Sequence, residues 1–157
     1  MLSIQISDIK DFMSHLLSKD TFDHFYFIEA SIKMGVSYQI QGRINEGFYD
    51  TSVEQTLNRE FCYWKEIRHR IFDIIKGKRL PLSCKIVLGL SKQSISYLIA
   101  HNNSSFREED IEGIYVNILY DPKNLLITTG ISYKNFSLDK SLEYAFDEYL
   151  AKFLKEK

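Results

Sequence analysis

The chain has 157 residues, 45% of them hydrophobic and 26% charged, with 20 basic against 21 acidic side chains. That length makes one domain with enough apolar material for a core, and 14% aromatic residues beside only 2 Pro and 7 Gly exclude a disordered chain. A formal net charge of −1 excludes a wholesale basic coat for nucleic acid or membrane, while leaving local patches open.

Ser7 and Asp8 are candidate N-caps for a first helix, in which Ile9, Phe12, Met13, Leu16 and Leu17 recur on one face. It ends near Lys19, and residues 20–23 read as a connector. The period then changes to two. Ile28, Ala30 and Ile32 alternate with Glu29, Ser31 and Lys33, Met34-Gly35 turns the chain, and Val36, Tyr38 and Ile40 return to about Ile44. Residues 45–58 are polar, with a capping-box pattern at Ser52 and Gln55. A stronger helix is predicted over 58–76, with Phe61, Trp64, Ile67, Ile71, Ile74 and Ile75 on one face and Gly77 and Pro81 as stops.

Cys84, Ile86, Leu88 and Leu90 then mark a third strand. Ser91 caps a short helix through Ile95, Leu98 and Ile99 that ends at Asn102-Asn103, and Ser105 with Glu108 is a capping box over one acidic turn. Ile114, Val116, Ile118 and Tyr120 form a strand, Asp121-Pro122-Lys123-Asn124 a turn, and Leu125, Ile127 and Thr129 the return. Ser137 is expected to cap a terminal helix whose stripe is Leu138, Leu142, Ala145, Phe146, Tyr149, Leu150 and Phe153. The order α-β-β-α-β-α-β-β-α, with two hairpins and no regular βαβ alternation, predicts one α+β domain over residues 1–157. Its mainly antiparallel sheet has about five strands, packed with about four helices.

Cys62 and Cys84 both sit among apolar neighbours and show no CxxC or zinc-ligand spacing, so both are expected as buried free thiols. Residues 1–9 already carry Asp8 and lack a basic start with an apolar core, so no signal peptide is expected. No apolar run approaches the ~18 residues of a membrane span. The expected setting is the cytoplasm.

Three segments carry a likeness to a known group: ASIKMGVSYQIQGRI (30–44), WKEIRHRIFDIIKGKRLPLSCKIVLGLS (64–91) and TTGISYKNFSLDKSLE (128–143). Together they resemble an uncharacterised family of short single-domain proteins from Gram-positive bacteria, catalogued as a domain of unknown function. The resemblance implies a single domain with no assigned activity, and carries over no catalytic or binding residue.

Two surfaces are candidates for binding. Residues 59–79 hold seven basic side chains (Arg59, Lys65, Arg68, Arg70, Lys76, Lys78, Arg79) against Glu60, Glu66 and Asp73. Cations at a helix C-terminus are favoured by the dipole alone, and the same cluster is the type that contacts phosphates. The second is the polar sheet face, on which Glu29, Gln39, Gln41, Arg43, Lys85, Asn117 and Thr128 would project together, with Tyr26 and Tyr115 among them. Other chemistries are poorly served. The acids Glu108, Glu109, Asp110 and Glu112 stand on one turn and diverge. Ser137-Leu138-Asp139-Lys140 matches S-x-x-K but sits where a cap belongs, and His15, His69 and His101 read as structural. No phosphate loop, dinucleotide fingerprint, metal motif or cofactor motif stands out. The expectation is a binding module for a protein or nucleic acid, with no membrane partner, through the polar face (Gln39, Gln41, Arg43) and the basic junction (Arg68, Arg70, Lys76, Lys78, Arg79). The alternatives are a nucleic-acid binder through 59–79 and a small enzyme whose active groups lie on separate elements. A homo-oligomer through the sheet edge is a further option.

Overall fold

A computed structural model describes residues 1–49 and 59–157. The Ser52–Gln55 capping pattern lies outside the described residues, as does the first residue of the helix expected over 58–76. In chain order the elements are β1 (Ser3–Gln5), α1 (Ile9–Leu17), β2 (Tyr26–Lys33), β3 (Ser37–Gln41), α2 (Trp64–Ile75), β4 (Ser83–Gly89), α3 (Lys92–His101), β5 (Ile111–Tyr120), β6 (Leu125–Tyr133) and α4 (Ser141–Glu156). The six strands form one antiparallel sheet in the order β1-β6-β5-β4-β2-β3. The α+β class is as expected, with six strands where the sequence predicted about five. The extra one is β1, whose three residues pair with Leu126–Thr128 of β6 and leave almost no local signal.

Cross-strand partners share a face. Ala30, Ile86, Ile118, Ile127 and Ile4 make one row, and Phe27, Leu88, Val116 and Thr129 the next. These rows are covered by Phe12 and Leu16 of α1, Trp64 and Ile71 of α2, Leu98 of α3 and Phe146 and Leu150 of α4, in one core cluster. Each such aliphatic or aromatic side chain is stabilised by roughly 1.5–3 kcal/mol on burial. Trp64 is fully buried, lies 5.7 Å from the Phe27 ring and donates its Nε1–H to the Leu16 carbonyl at 2.8 Å. That bond satisfies a carbonyl of the last turn of α1, which has no partner within the helix. Among the described residues, no helix is long and apolar enough to cross a membrane.

Three helix starts differ from the sequence reading. The first is α2, which begins at Trp64 because residues 60–63 are extended. Phe27 N–H donates to Cys62 O (2.8 Å), Cys62 N–H to Gly42 O (2.9 Å) and Ile44 N–H to Glu60 O (2.9 Å). Phe61 therefore bridges to Arg43 and is off the helix face predicted for it. Gly42 permits this close approach, since a Cβ there would land on the Phe27 carbonyl. Similarly, α4 starts at Ser141, four residues after the predicted cap. Ser137 Oγ accepts from Asp139 N–H (3.1 Å) and Asp139 Oδ1 from Ser141 N–H (2.9 Å), so local turns satisfy these amides and leave Leu138 82% exposed. Last, the acidic turn is a 3₁₀ turn, Glu108–Asp110, in which Asp110 Oδ2 accepts from Arg107 N–H (2.9 Å). Ser105 instead donates to Asp139 Oδ2 (3.1 Å).

Asp8 and Ser91 cap α1 and α3 as predicted. Both cysteines are free; Cys84 is buried, whereas Cys62 is half-buried. Burial pushes the Cys62 thiol up to about 11 and the Cys84 thiol up to about 12.

Two outcomes follow. Trp64→Phe keeps most of the apolar surface and strips the Leu16 carbonyl of its donor, so urea titration should show a loss of about 1–3 kcal/mol; an unchanged midpoint would mean the carbonyl finds another partner. Because the thiols are raised in the folded chain, their contribution is intact below the ordinary value of 9.0 and declines as pH rises toward 11 and 12. Near pH 8 a disulfide reagent should label neither thiol on the timescale of its reaction with free cysteine, and both after denaturation.

Candidate functional site: a cleft on the open sheet face

Among the described residues no helix covers the opposite sheet face. One row across it is Gln41, Glu29, Val87, Asn117, Thr128 and Ser3, and the next is Gln39, Ser31, Lys85, Leu119, Leu126 and Gln5. Of the polar residues expected together, Glu29, Gln39, Gln41, Lys85, Asn117 and Thr128 share this face. It is less polar than predicted, because Val87, Leu119 and Leu126 interrupt the rows. Arg43 lies just past β3, where it forms an ion pair with Glu60 and holds its guanidinium 5.1 Å from the Phe61 ring centroid.

A third row runs Tyr26, Gly89, Tyr115 and Gly130, and its first three residues floor a cleft of about 460 Å³. Its aromatic walls are Tyr26, Phe61 and Tyr115, and Ile28, Ile95 and Ile111 add aliphatic surface. Two register shifts border it, one between Phe27 and Glu29 in β2 and one between Ile111 and Gly113 in β5. The residue displaced by each bulge, Ile28 and Glu112, lines the cleft. A bulge adds one unpaired residue and re-aims its side chain, and such features concentrate beside functional sites. Gly113 has a separate role: a Cβ there would run into the Tyr115 hydroxyl, so the phenol lies over the glycine.

The charges are unevenly spread. Glu60, Glu108, Glu109 and Glu112 line the cleft with Lys92 and Lys134. Glu112 accepts a hydrogen bond from Ser132 Oγ at 2.8 Å and has no ion-pair partner among the described residues. Burial, reinforced by Glu112 and Glu60 and opposed by Arg43, raises the Tyr115 phenol above its ordinary value. Tyr26 is raised mainly by burial, against a hydrogen bond from the Lys92 amide at the start of α3.

Three cations of the basic junction already have acidic partners. Arg59 pairs with Glu66 at 2.6 Å and lies over the Tyr63 ring, and Arg68 makes a bidentate pair with Asp23 at 2.8 and 3.0 Å. Lys76 pairs with Asp73 at 3.0 Å. Arg70, Lys78 and Arg79 are exposed, with no ion pair among the described residues. His15 contacts Thr21 Oγ1 at 2.8 Å, and His101 the Tyr97 carbonyl at 3.0 Å. No group of three or more His, Cys, Asp or Glu side chains stands ready for a metal among the described residues.

Sequence reasoning placed Tyr26 and Tyr115 on this face and missed Glu60, Phe61, Gly89, Glu112 and Gly113 as cleft residues. The available signal was a glycine inside each of two strand patterns, which points to a bulge or close approach. Because Glu112 disfavours the phenolate, Glu112→Gln should lower the Tyr115 pKa toward the ordinary 10.0. Carbon-13 tyrosine NMR across an alkaline titration reads this directly, and an unmoved curve would separate the two groups.

The comparisons with known proteins bear on the chain as a whole. No curated protein and no solved structure matches it. Over residues 15–157, which include every cleft residue named above, the chain matches the family described as "Family of unknown function (DUF5721)". The chain belongs to that family.

Proposed function

We propose that the chain is a binding module that takes a small molecule in the cleft between Tyr26, Phe61 and Tyr115. The observation that carries this reading is the convergence of both bulges on the cleft, each supplying its displaced residue to the lining. A volume of about 460 Å³ is of the size that encloses a small ligand. The wider polar rows, with Gln39, Gln41 and Lys85, extend the surface on which a bound molecule finds hydrogen-bond partners. The basic junction takes second place, since Arg59 and Arg68 already direct their charge at Glu66 and Asp23. An enzyme with active groups on separate elements would draw on the same cleft, where Tyr26, Tyr115 and Glu112 are the groups able to move a proton.

The test is a fragment screen by amide-resolved NMR on the full chain, with a single-stranded oligonucleotide as a separate arm. Fragment hits should shift the amides of Gly89, Gly113 and Tyr115 and disappear in Gly113→Val, whose side chain displaces the Tyr115 phenol. Hits that map elsewhere, or an oligonucleotide that shifts Arg70, Lys78 and Arg79 while no fragment binds the cleft, would overturn the reading. A fragment chemically altered on incubation would move the assignment to catalysis.

A further inference from the structure

Given a ligand in this cleft, we propose that it is a small organic cation, an amine or guanidine on an apolar body, with its charge against the Phe61 and Tyr115 rings and the carboxylates of Glu60 and Glu112. The proposal rests on the cleft reading above and adds the chemical class.

The molecule already contains a fragment of such a complex. Arg43 sets a guanidinium over the Phe61 ring, 5.1 Å from its centroid, while pairing with Glu60 at the rim. Aromatic faces attract cations through the ring quadrupole, more strongly where water is excluded. In the same cleft, Glu112 offers a second carboxylate. It belongs to a bulge that orients it, its one hydrogen bond comes from a neutral serine, and among the described residues no cation balances it. Four carboxylates line the cleft against two lysines, and Arg43 pairs with one of them, Glu60, at the rim. The Tyr115 phenol, held above its ordinary value first by burial, is pushed further in that direction by Glu112 and Glu60 and opposed by Arg43. Ile28, Ile95 and Ile111 supply the apolar surface for the body of the ligand. An anionic ligand would meet Lys92 and Lys134 at the cost of facing all four acids.

A matched set of probes isolates the charge: 2-phenylethylamine, 2-phenylethanol and phenylacetate, titrated into the full chain at low ionic strength and followed at the Gly113 and Tyr115 amides. The amine should bind about tenfold or more tightly than the alcohol or the carboxylate, the scale expected of a charge pair with a ring contact. Glu112→Gln should weaken the amine several-fold and leave the alcohol unchanged, and Phe61→Leu should narrow the gap between them. If all three probes bind the cleft equally, the cation is wrong and the cleft stands. If none shifts Gly113 or Tyr115, both fail. Tighter binding of phenylacetate would overturn the charge assignment outright.

Discussion

Much of this architecture depends on the extended segment 60–63, which leads into Trp64 and wedges between the start of β2 and the end of β3. The two strands run as neighbours through Glu29–Lys33, and then Phe25 and Phe27 turn their hydrogen bonds to Trp64 and Cys62, while Gly42 and Ile44 turn theirs to Cys62 and Glu60. An extended chain sends successive side chains to opposite faces. Trp64 and Cys62 therefore meet the core, while Phe61 and Tyr63 lie beside Tyr26, with ring centroids 6.4 and 5.3 Å away. One backbone path thus anchors the helical layer and builds a wall of the cleft. The Trp64 bond to Leu16 reaches α1, so the same wedge also sets where the first helix docks.

The wedge explains the neighbouring bulge. For β2 to leave β3 and accept a new partner while continuing beside β4, its register must slip, and it slips at Ile28. The extra residue has no partner in the ladder, and its Cδ1 comes within 3.1 Å of where a Cβ on Gly89 would stand. Across β4 the second bulge lets β5 turn at Glu112 and brings the Tyr115 phenol down onto Gly113. Both irregularities cost ladder hydrogen bonds. Their shared result is an apolar hollow in a face otherwise lined by residues such as Glu29, Gln39 and Lys85.

What was legible in the sequence was what local pattern decides. The two hairpins, α1 and α3 with its Ser91 cap show clear periods bounded by residues with a definite turn or capping chemistry. The failures occur where two local solutions compete and a distant partner chooses. Residues 60–63 fit a helical stripe, yet the carbonyls of Glu60 and Cys62 accept from Ile44 and Phe27, and the Cys62 amide donates to Gly42. Ser137 is a good cap, yet it closes a turn with Asp139 and leaves the helix to begin at Ser141. Strand β1 alternates Leu2, Ile4 and Ile6 over a length too short to stand out, and its pairing to β6 spans more than a hundred residues of chain. The open face was readable because alternation on five strands sets it. The cleft was not, because register slips in two separate strands make it.

The composition of the cleft follows from that origin. A hollow produced by slipping strands keeps the glycines that permit the slip and the side chains that the slip re-aims, whatever their charge. Ile28 turned this way is unremarkable, since it finds apolar contact. Glu112 is different: it is an exposed carboxylate lining an aromatic-walled cleft, and it accepts one hydrogen bond from Ser132. Its side chain takes no part in the core, so packing gives no reason for an acid at this position. On the wedge, Glu60 has an internal cation in Arg43, which pairs with the carboxylate and lies on the ring of Phe61. At Glu112 no internal cation plays that part among the described residues, and a ligand carrying one completes the arrangement that the rim already displays.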